Sequence, residues 1–394
     1  KATDSAGNIS AASTGLMITI DTVSPAVSSV AGPSAGTYKA GDGLVFTAAF
    51  DENVTVSTTG GTPYIQLTIG ASAKTAAYIS GSETNELIFR YTVASGDSDA
   101  DVIACAAAIT QNGGEIRDTA GNGASLSYTP PTTAAVLVDG VAPTVTITSS
   151  ASNPTDASSI PVTITFSEDV TGFESGDITV GNGSAGSFSA VNASTYTASI
   201  TPAADGEVTM DVAANVAEDL AGNGNTAAIQ ITRTYDAIAP NAPTVTSAAA
   251  ETNDATPTWT WTAAGGGNGT YRYRLDNNDL TSGATETTAM SFTPASALGE
   301  GSYTLYVQEL DNAGNWSPSG SCAVTVDTTA PTVTITSPAS NLTNASPIPV
   351  TIAFSEDISG FTFTDIAVAN GTAGNFNAAD ARTCTIDITP AAGG

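Results

Sequence analysis

The chain has 394 residues and is strongly acidic, with 38 Asp and Glu against 9 Lys and Arg, no His and a formal net charge of −29. Such a charge repels nucleic acid and anionic membrane surfaces and attracts cations. The absence of His excludes Ser-His-Asp and Cys-His catalysis and any metal site built on His. No run of 18 apolar residues is present that could cross a membrane as a helix.

The predicted elements are short β-strands. Many Thr and Val residues, together with 38 Gly and 19 Pro, favour short strands joined by turns. In the segment IPVTITF, Val162, Ile164 and Phe166 alternate with threonines, which is the pattern of a strand with one buried face. Segments of this kind recur along the chain without helical periodicity. The pattern therefore predicts an all-β protein.

Four similar phrases divide the chain into repeats. They read DTVSPAV, DGVAPTV, DAIAPNAPTV and DTTAPTV, and they begin at Asp21, Asp139, Asp236 and Asp327. Internal similarity at such spacing indicates tandem domains. We predict the C-terminal strands of a preceding or neighbouring unit at residues 1–20, repeat 1 at 21–138, repeat 2 at 139–235, a divergent, aromatic-rich repeat 3 at 236–326, and an incomplete repeat 4 at 327–394.

Each complete repeat has about seven alternating segments, which predicts a two-sheet sandwich. Repeats 2 and 4 match almost residue for residue, whereas repeat 3 has a different interior. Proline in each linker fixes the backbone and cannot donate to a sheet, so it favours a strand start or a stiff junction. We therefore expect the sandwiches to be arranged as a rod.

The repeated motifs resemble those of a known family. The D-x-x-A-P-T-V linkers, the segment FSEDVTGF…DITVGNG, the D-x-A-G-N turn and PTWTWT…GGGNGTYRYRLD are similar to bacterial immunoglobulin-like repeats. The resemblance covers essentially the whole chain. It implies tandem immunoglobulin-like β-sandwiches in a non-catalytic stalk of a large adhesin or extracellular fibre at the cell surface. It also implies calcium, which family members commonly carry at their domain junctions.

Acidic side chains recur at equivalent positions in the repeats. Calcium takes six to eight oxygen ligands, and 9 basic residues cannot ion-pair most of the 38 acids. Acids crowded at a junction repel one another unless a cation is present. The candidate Ca²⁺ ligands are the linker acids Asp21, Asp139, Asp236 and Asp327; the turn residues Asp118, Asn122, Asp219, Asn223, Asp311 and Asn315; and the strand-end acids Glu52, Glu168, Asp169, Glu356 and Asp357.

The end of the sandwich at which each D-x-A-G-N turn lies determines which acids can come close together. One strand separates each D-x-A-G-N turn from the linker Asp that follows it, so these two need not lie at the same end of a sandwich. A linker Asp could instead approach the strand-end acid of the repeat that it opens. The alternative is that D-x-A-G-N is only a turn, in which Asp bonds its own backbone and Gly-Asn supplies a positive φ.

Further candidate sites lie outside these junction acids. Asp97, Asp99 and Asp101 have D-x-D-x-D spacing without the Gly and terminal Glu of a calcium hand. They are expected as a solvated acidic turn, with a loose calcium loop as the alternative. Paired carboxylates can cleave glycosides, but acids that recur in every repeat and sit at turns do not form one catalytic cleft. The sequence therefore predicts no enzyme.

The aromatic residues of repeat 3 suggest an alternative function. Its Trp and Tyr pairs alternate along strands and are expected in the core. Trp316 is left either as the exposed candidate for contact with a surface glycan or as a plug at the domain junction. Cys322 and Cys384 alternate with Val and Ile and are expected as core residues, while Cys105 is undecided. The core aromatics are Trp259, Trp261, Tyr271 and Tyr273.

The two ends of the chain suggest a longer assembly. Repeat 4 stops at TPAAGG, before the last strands present in repeat 2, and the chain opens on a D-x-A-G-N turn followed by a strand pattern. The chain could be an excerpt of a longer array, or a fibre subunit that completes repeat 4 of its neighbour by strand addition. Loss of disordered residues is the third interpretation. Residues matching GEVTMDVAAN are missing from both pieces, which favours the excerpt.

Overall fold

The computed structural model describes residues 1–391, which carry 29 strands and two single-turn 3-10 helices. The chain divides into two compact bodies, residues 1–237 and residues 238–394. Neither helix in the described part of the chain is long or apolar enough to cross a membrane. The prediction of an all-β chain of tandem sandwiches is confirmed.

The first sandwich has ten strands, more than the seven or so that the repeat pattern predicted. They are β1 (Val27–Ala31), β2 (Gly36–Tyr38), β3 (Gly43–Ser57), β4 (Tyr64–Ile69), β5 (Ser72–Ser80), β6 (Thr84–Thr92), β7 (Ser98–Asp99), β8 (Ala104–Thr110), β9 (Glu115–Arg117) and β10 (Val136–Asp139). One sheet runs β1-β3-β6-β5-β4-β8 with β9 beside β3, and the other runs β2-β10-β7. Leu44, Phe46, Leu67 and Phe89 are fully buried between the two sheets.

The second sandwich follows the predicted alternation closely. Its strands are β11 (Val145–Thr148), β12 (Ile160–Phe166), β13 (Ile178–Gly181), β14 (Gly183–Ala190), β15 (Thr195–Pro202), β16 (Gly206–Val212) and β17 (Ile231–Tyr235), with a 3-10 helix at Ser175–Asp177. The sheets run β11-β12-β15-β14 and β13-β16-β17. Val162, Ile164 and Phe166 are buried, whereas Thr165 on the other face of the strand is exposed.

The third sandwich buries the aromatic residues that were expected in its core. Its strands are β18 (Thr244–Ser247), β19 (Glu251–Thr252), β20 (Trp259–Thr262), β21 (Thr270–Leu275), β22 (Thr285–Thr287), β23 (Ser291–Phe292), β24 (Gly301–Leu310) and β25 (Gly320–Val326), in the sheets β18-β20-β23 and β19-β25-β24-β21-β22. Trp259, Trp261 and Tyr271 are at most 2% exposed. Tyr273 and Cys322 are half-buried and pack against this core.

Repeat 4 forms one sheet in the described residues. It comprises β26 (Val333–Thr336), β27 (Ile348–Phe354), β28 (Gly371–Ala378) and β29 (Thr383–Pro390), in the order β26-β27-β29-β28, with a 3-10 helix at Phe363–Asp365. Ile335 is 66% exposed, whereas its equivalent Ile147 in the second sandwich is 6% exposed. A single sheet covers only one side of its apolar residues. Cys384 is buried here, as expected.

The leading segment forms the D-x-A-G-N turn, and its predicted strand, which was assigned to a preceding or neighbouring unit, stays a prediction. Asp4 and Asn8 close the D-x-A-G-N turn, and Thr3 pairs with Ile9. Residues 11–20 belong to no strand, and Leu16 and Ile20 are more than 80% exposed. A strand requires a ladder partner, and the described sheets provide none for this segment.

Two isoleucines of repeat 2 test the core assignment. Ile200 is fully buried in the second sandwich, whereas Ile229 is 88% exposed. We expect Ile200→Ala to lower the free energy of unfolding by about 2–5 kcal/mol, because the substitution leaves a cavity. Ile229→Ala should change it by less than about 0.5 kcal/mol. Chemical denaturation followed by circular dichroism measures both, and equal effects would contradict the assigned core.

Candidate metal centres

The D-x-A-G-N phrase folds in the same way at all four positions. The Asp N–H donates to the Asn carbonyl at 3.0–3.1 Å, and the Asn N–H donates to one Asp carboxylate oxygen at 2.7–2.9 Å. The Asn amide donates to the other carboxylate oxygen at 2.7–3.0 Å. The Gly has a φ between +89° and +116°, where glycine carries no steric penalty. Each turn carboxylate is therefore fixed, with lone pairs still available.

In repeat 1, this turn places a carboxylate beside two other acids, which together we call cluster 1. Oxygens of Asp21, Glu52 and Asp118 lie within 4.8 Å of one another. Asp21 opens the repeat, Glu52 lies in β3, and Asp118 is in the turn and only 3% exposed. The Asn122 amide also donates to the Asp21 carbonyl at 3.2 Å. The turn is therefore bound to the linker that begins the same repeat.

Repeat 2 has an equivalent group, cluster 2. Oxygens of Asp139, Glu168 and Asp219 also lie within 4.8 Å of one another. Asp139 ends β10, Glu168 follows β12, and Asp219 is in the turn and 4% exposed. The Asn223 amide donates to the Asp139 carbonyl at 2.8 Å. In both clusters, the linker Asp meets the turn Asp and the equivalent Glu of the repeat that it opens. Glu168 follows its strand as predicted, whereas Glu52 lies within β3 and not at a strand end.

The carboxylates of each cluster destabilise one another's charge. Burial, followed by the charges of Asp21 and Asp118, raises the pKa of Glu52. Burial, followed by the charges of Asp139 and Asp219, raises the pKa of Glu168. The ion pairs found in residues 1–391 join Lys74 to Asp97, Arg117 to Glu115 and Arg382 to Asp357, so none of them neutralises either cluster. Both groups therefore favour a bound cation.

Cluster 2 is connected directly to the first sandwich. The Lys39 ammonium donates to the Gly222 carbonyl at 2.7 Å, and the Ala40 N–H donates to the Asn223 side-chain oxygen at 3.2 Å. Asn223 thus contacts its own turn, the linker and the preceding sandwich. Lys39 could not be found from the repeated motifs, because nothing in its neighbourhood repeats. Its rarity was the available signal, since the chain has only nine basic residues.

Some predicted ligands have other partners. Asn122 and Asn223 direct their amide nitrogens, not their oxygens, towards the turn acids, so they position the carboxylates. Asp169 lies near Tyr196, whose pKa is raised by burial and then by the charge of Asp169. Asp357 pairs with Arg382 at 2.5 Å. These four side chains lie outside the two carboxylate clusters.

The remaining predicted ligands do not form a three-acid group in the described residues. Asp236 belongs to the body of residues 1–237, whereas Asp311 and Asn315 belong to the other body. Asp311 accepts four N–H bonds within its own turn. In repeat 4, Asp327 accepts a bond from the Thr329 N–H, and Glu356 has one buried carboxylate oxygen without a hydrogen-bond partner.

The D-x-D-x-D segment is not a solvated turn. Asp97 is 6% exposed, pairs with Lys74 at 2.6 Å and accepts a bond from the Tyr91 hydroxyl. Asp99 is 5% exposed and accepts the Gly70 N–H at 2.7 Å. The expectation of solvated acids was wrong for these two residues, because a lysine and backbone N–H groups compensate their charge.

Trp316 is half-buried, so part of its ring is accessible to a ligand, but Arg272 of the same repeat covers another part. The Arg272 guanidinium lies 4.2 Å from the centre of its ring, in a cation–π arrangement. Arg272 also donates to the Gln308 side-chain oxygen at 2.8 Å. One face of the indole is therefore occupied by the protein itself.

Comparison with known proteins identifies the repeats as similar to one domain type. Two models described as bacterial Ig-like domain match the chain, one at residues 139–235 and 327–394 and the other at 236–328. No curated protein matches the sequence.

Solved structures align only loosely. Titin domains A168–A170 align at 14% identity over 76% of this chain and 97% of theirs, with a TM-score of 0.31. Invasin, a bacterial integrin-binding protein, aligns at 10% identity over 92% of this chain and 73% of its own chain, with a TM-score of 0.27. Fibronectin(III)-like modules of Clostridium thermocellum CbhA align at 19% identity over 46% of this chain and 93% of theirs, also with a TM-score of 0.27.

The raised pKa of Glu168 predicts a pH-dependent effect in metal-free protein. A raised pKa in the folded state means that Glu168 favours folding below its ordinary value of 4.5, and that this contribution is lost as pH rises through the folded-state value. With chelator present, Glu168→Gln should therefore raise the melting temperature relative to wild type near neutral pH. The gain should disappear below pH 4.5.

Thermal unfolding across this pH range measures the effect. Glu207→Gln, at an exposed position of β16, serves as the control. The same gain at acidic and neutral pH would show that repulsion within cluster 2 is not its cause.

Proposed function

Because this chain belongs to the bacterial Ig-like domain family, we propose that it is a calcium-stiffened stalk segment of an extracellular surface protein. Domains of this family are structural and non-catalytic and occur typically on extracellular proteins. In a stalk, the work of each domain is mechanical: it extends the chain and resists bending. The proposal is carried by cluster 2, which lies where one sandwich contacts the next.

The side chains of both clusters fit a calcium ion. All the ligating atoms are carboxylate oxygens, which a hard cation prefers, and backbone carbonyls and water complete its usual shell. Calcium–oxygen distances of about 2.3–2.6 Å place opposite ligands about 4.6–5.2 Å apart. The oxygens of each cluster, all within 4.8 Å, match that span. The ion would supply the positive charge that no ion pair of either cluster provides.

Ion binding at cluster 2 would stiffen the junction through Asn223. Asp219 and Asp139 would share one ion, which would hold the turn against the linker. Asn223 is already bonded to both of these elements and to Ala40 of the first sandwich. Holding the turn therefore also holds the Lys39 and Ala40 contacts. The same ion would stabilise the fold, because it binds the folded state alone.

Calcium should therefore raise the melting temperature, and the clusters should be responsible. At free calcium a hundred times the dissociation constant, one site contributes about 2.7 kcal/mol. We expect Glu168→Gln and Glu52→Gln each to reduce the calcium-dependent shift, because each removes a ligand. Calorimetry with calcium and with excess chelator measures this.

Glu207→Gln is the matched control, since it removes the same charge from an exposed strand position. Two outcomes would reject calcium as the stiffening ion. One is a melting temperature that chelator leaves unchanged, and the other is an equal loss of the shift in the control.

Hydrogen exchange at Ala40 tests the mechanical coupling. Its N–H is bonded across the junction to Asn223, so its exchange rate reports whether the two sandwiches stay in contact. Calcium should slow exchange of this amide in wild type. Asn223→Ala should accelerate it and abolish the calcium effect, whereas Asn192→Ala, in an exposed loop of the same sandwich, should do neither.

Exchange–mass spectrometry of peptides covering residues 36–44 gives the measurement. If Asn223→Ala leaves this exchange unchanged, the turn does not hold the two sandwiches in contact.

Two other roles stay predictions. Head-to-tail fibre assembly is compatible with the exposed Val333 and Ile335 of repeat 4, whose equivalents are buried in repeat 2. Glycan binding by repeat 3 has less support, because Arg272 already covers one face of Trp316. The calcium-stiffened stalk draws on more of the observed contacts than either alternative.

A further inference from the structure

Repeat 3 contains a buried carboxylate without adequate compensation. Glu309, near the end of β24, is 1% exposed. One of its oxygens accepts the Gly269 N–H at 3.3 Å, and the other is buried with no hydrogen-bond partner. No ion pair within residues 1–391 includes it. An ionised carboxylate in such a place is costly unless a positive charge is nearby.

The loop opposite Glu309 is shaped to accommodate it. A Cβ atom on Gly267 would overlap the Glu309 carboxylate, so the glycine-rich segment GGGNG leaves the space that the side chain fills. The Asn268 amide donates to the Asp311 carbonyl at 2.7 Å and holds this loop against the turn. The loop therefore contacts both the Glu309 side chain and the backbone of the turn acid Asp311.

Repeats 2 and 3 carry a glutamate near the turn on different strands. Val245 pairs with Trp261 as Val145 pairs with Phe166, so Ala263 occupies the position of Glu168. Two residues before the turn Asp, repeat 3 has Glu309, whereas repeats 1 and 2 have the buried apolar residues Ile116 and Ala217.

Apolar residues therefore suffice for packing at this position. A glutamate appears there in the one complete repeat whose strand end lacks it. This exchange points to a requirement for a carboxylate near the turn Asp and not to a requirement of the core.

We propose that Glu309 and Asp311 form a cation site of repeat 3, in which Glu309 replaces the strand-end glutamate of repeats 1 and 2. The class of ion, a divalent cation such as calcium, rests on the proposed function, whereas the ligand Glu309 rests on its own burial and missing partner. Asp311 is 5% exposed. Burial raises its pKa, but hydrogen bonds from Asn315 and the turn backbone outweigh this and keep the pKa below its ordinary value.

Neighbouring groups do not neutralise Glu309. Burial, followed by the charge of Glu309 and a side-chain hydrogen bond to it, raises the pKa of Tyr271, so the phenol stays a neutral donor and supplies no positive charge. Trp261 has a buried indole nitrogen without a partner and packs against Tyr271, which is the cross-strand neighbour of Glu309. A water molecule or a proton on Glu309 is the competing occupant, and neither would respond to a metal ion.

Terbium luminescence in the full chain distinguishes these cases. The three tryptophans of the protein, Trp259, Trp261 and Trp316, all lie in repeat 3. Tryptophan-selective excitation should therefore sensitise Tb³⁺ bound near Glu309, and Glu168→Gln reports whether Tb³⁺ bound at cluster 2 contributes to the emission. We expect sensitised emission in wild type that excess calcium displaces.

Glu309→Gln, which keeps the size of the side chain, should weaken this emission about tenfold or more, because a charged ligand is lost. Glu286→Gln, in β22 of the same repeat, and Glu168→Gln should leave it unchanged. Unaltered tryptophan fluorescence before Tb³⁺ addition shows that each variant is folded.

Two results would overturn the site. One is wild-type protein without tryptophan-sensitised emission, which is decisive even if Glu309→Gln fails to fold. The other is emission that Glu309→Gln leaves unchanged. Either result can occur while the calcium-dependent melting shift of cluster 2 persists, so failure at Glu309 is distinguishable from failure of the stalk proposal.

Discussion

The bond between Asp and Asn in the D-x-A-G-N turn fixes the end of each complete repeat. Both carboxylate oxygens of the Asp are held by the Asn, one through its backbone and one through its side chain. The Asn amide then reaches the carbonyl of the linker Asp in repeats 1 and 2. One five-residue turn thereby sets where the chain enters the sandwich and where a negative charge sits at that entry. The other contacts of the junction depend on this placement.

Charge compensation in this protein differs between its sites. Asp97 is buried, but a lysine and a tyrosine hydroxyl contact it, so it contributes to the fold without any ion. Clusters 1 and 2 lack such a partner, and repulsion raises the pKa of the glutamate in each. In a chain with 9 basic residues and 38 acids, most carboxylates cannot form an ion pair with a basic side chain. In the proposed function, a calcium ion from solution supplies this positive charge.

Periodicity predicted the strands because burial on one face of a sheet imposes a period of two. It succeeded for β12 and for the Trp259 and Trp261 pair, where apolar and polar residues alternate without interruption. It underestimated the number of strands in repeat 1, because β2, β7 and β9 have only two or three residues and are too short to show a period of two. It also missed that β3 continues for 15 residues through the acids of FDENV. The repeated acids pointed to the carboxylates that lie together in clusters 1 and 2, but not to the Asn amides as hydrogen-bond donors. Contacts between residues distant in sequence, such as Lys39 with Gly222, leave no periodic signal.

The alternation of apolar and polar residues in β24 already implies that Glu309 is buried, although the acid was not singled out from the sequence. In TLYVQEL it occupies the same face as Leu305 and Val307, both fully buried, so its burial follows from the alternation itself. An acid at a buried position is informative because the fold does not require it there. If the turn acid needs a second carboxylate beside it, either strand that ends near the turn can supply one, since both place a side chain at the same end of the sandwich. Repeat 1 supplies it from within the early strand, repeat 2 just after that strand, and repeat 3 just before the turn. A cation requirement constrains where the oxygens lie and leaves open which strand carries them, so a junction of this kind can diverge in sequence and keep its chemistry.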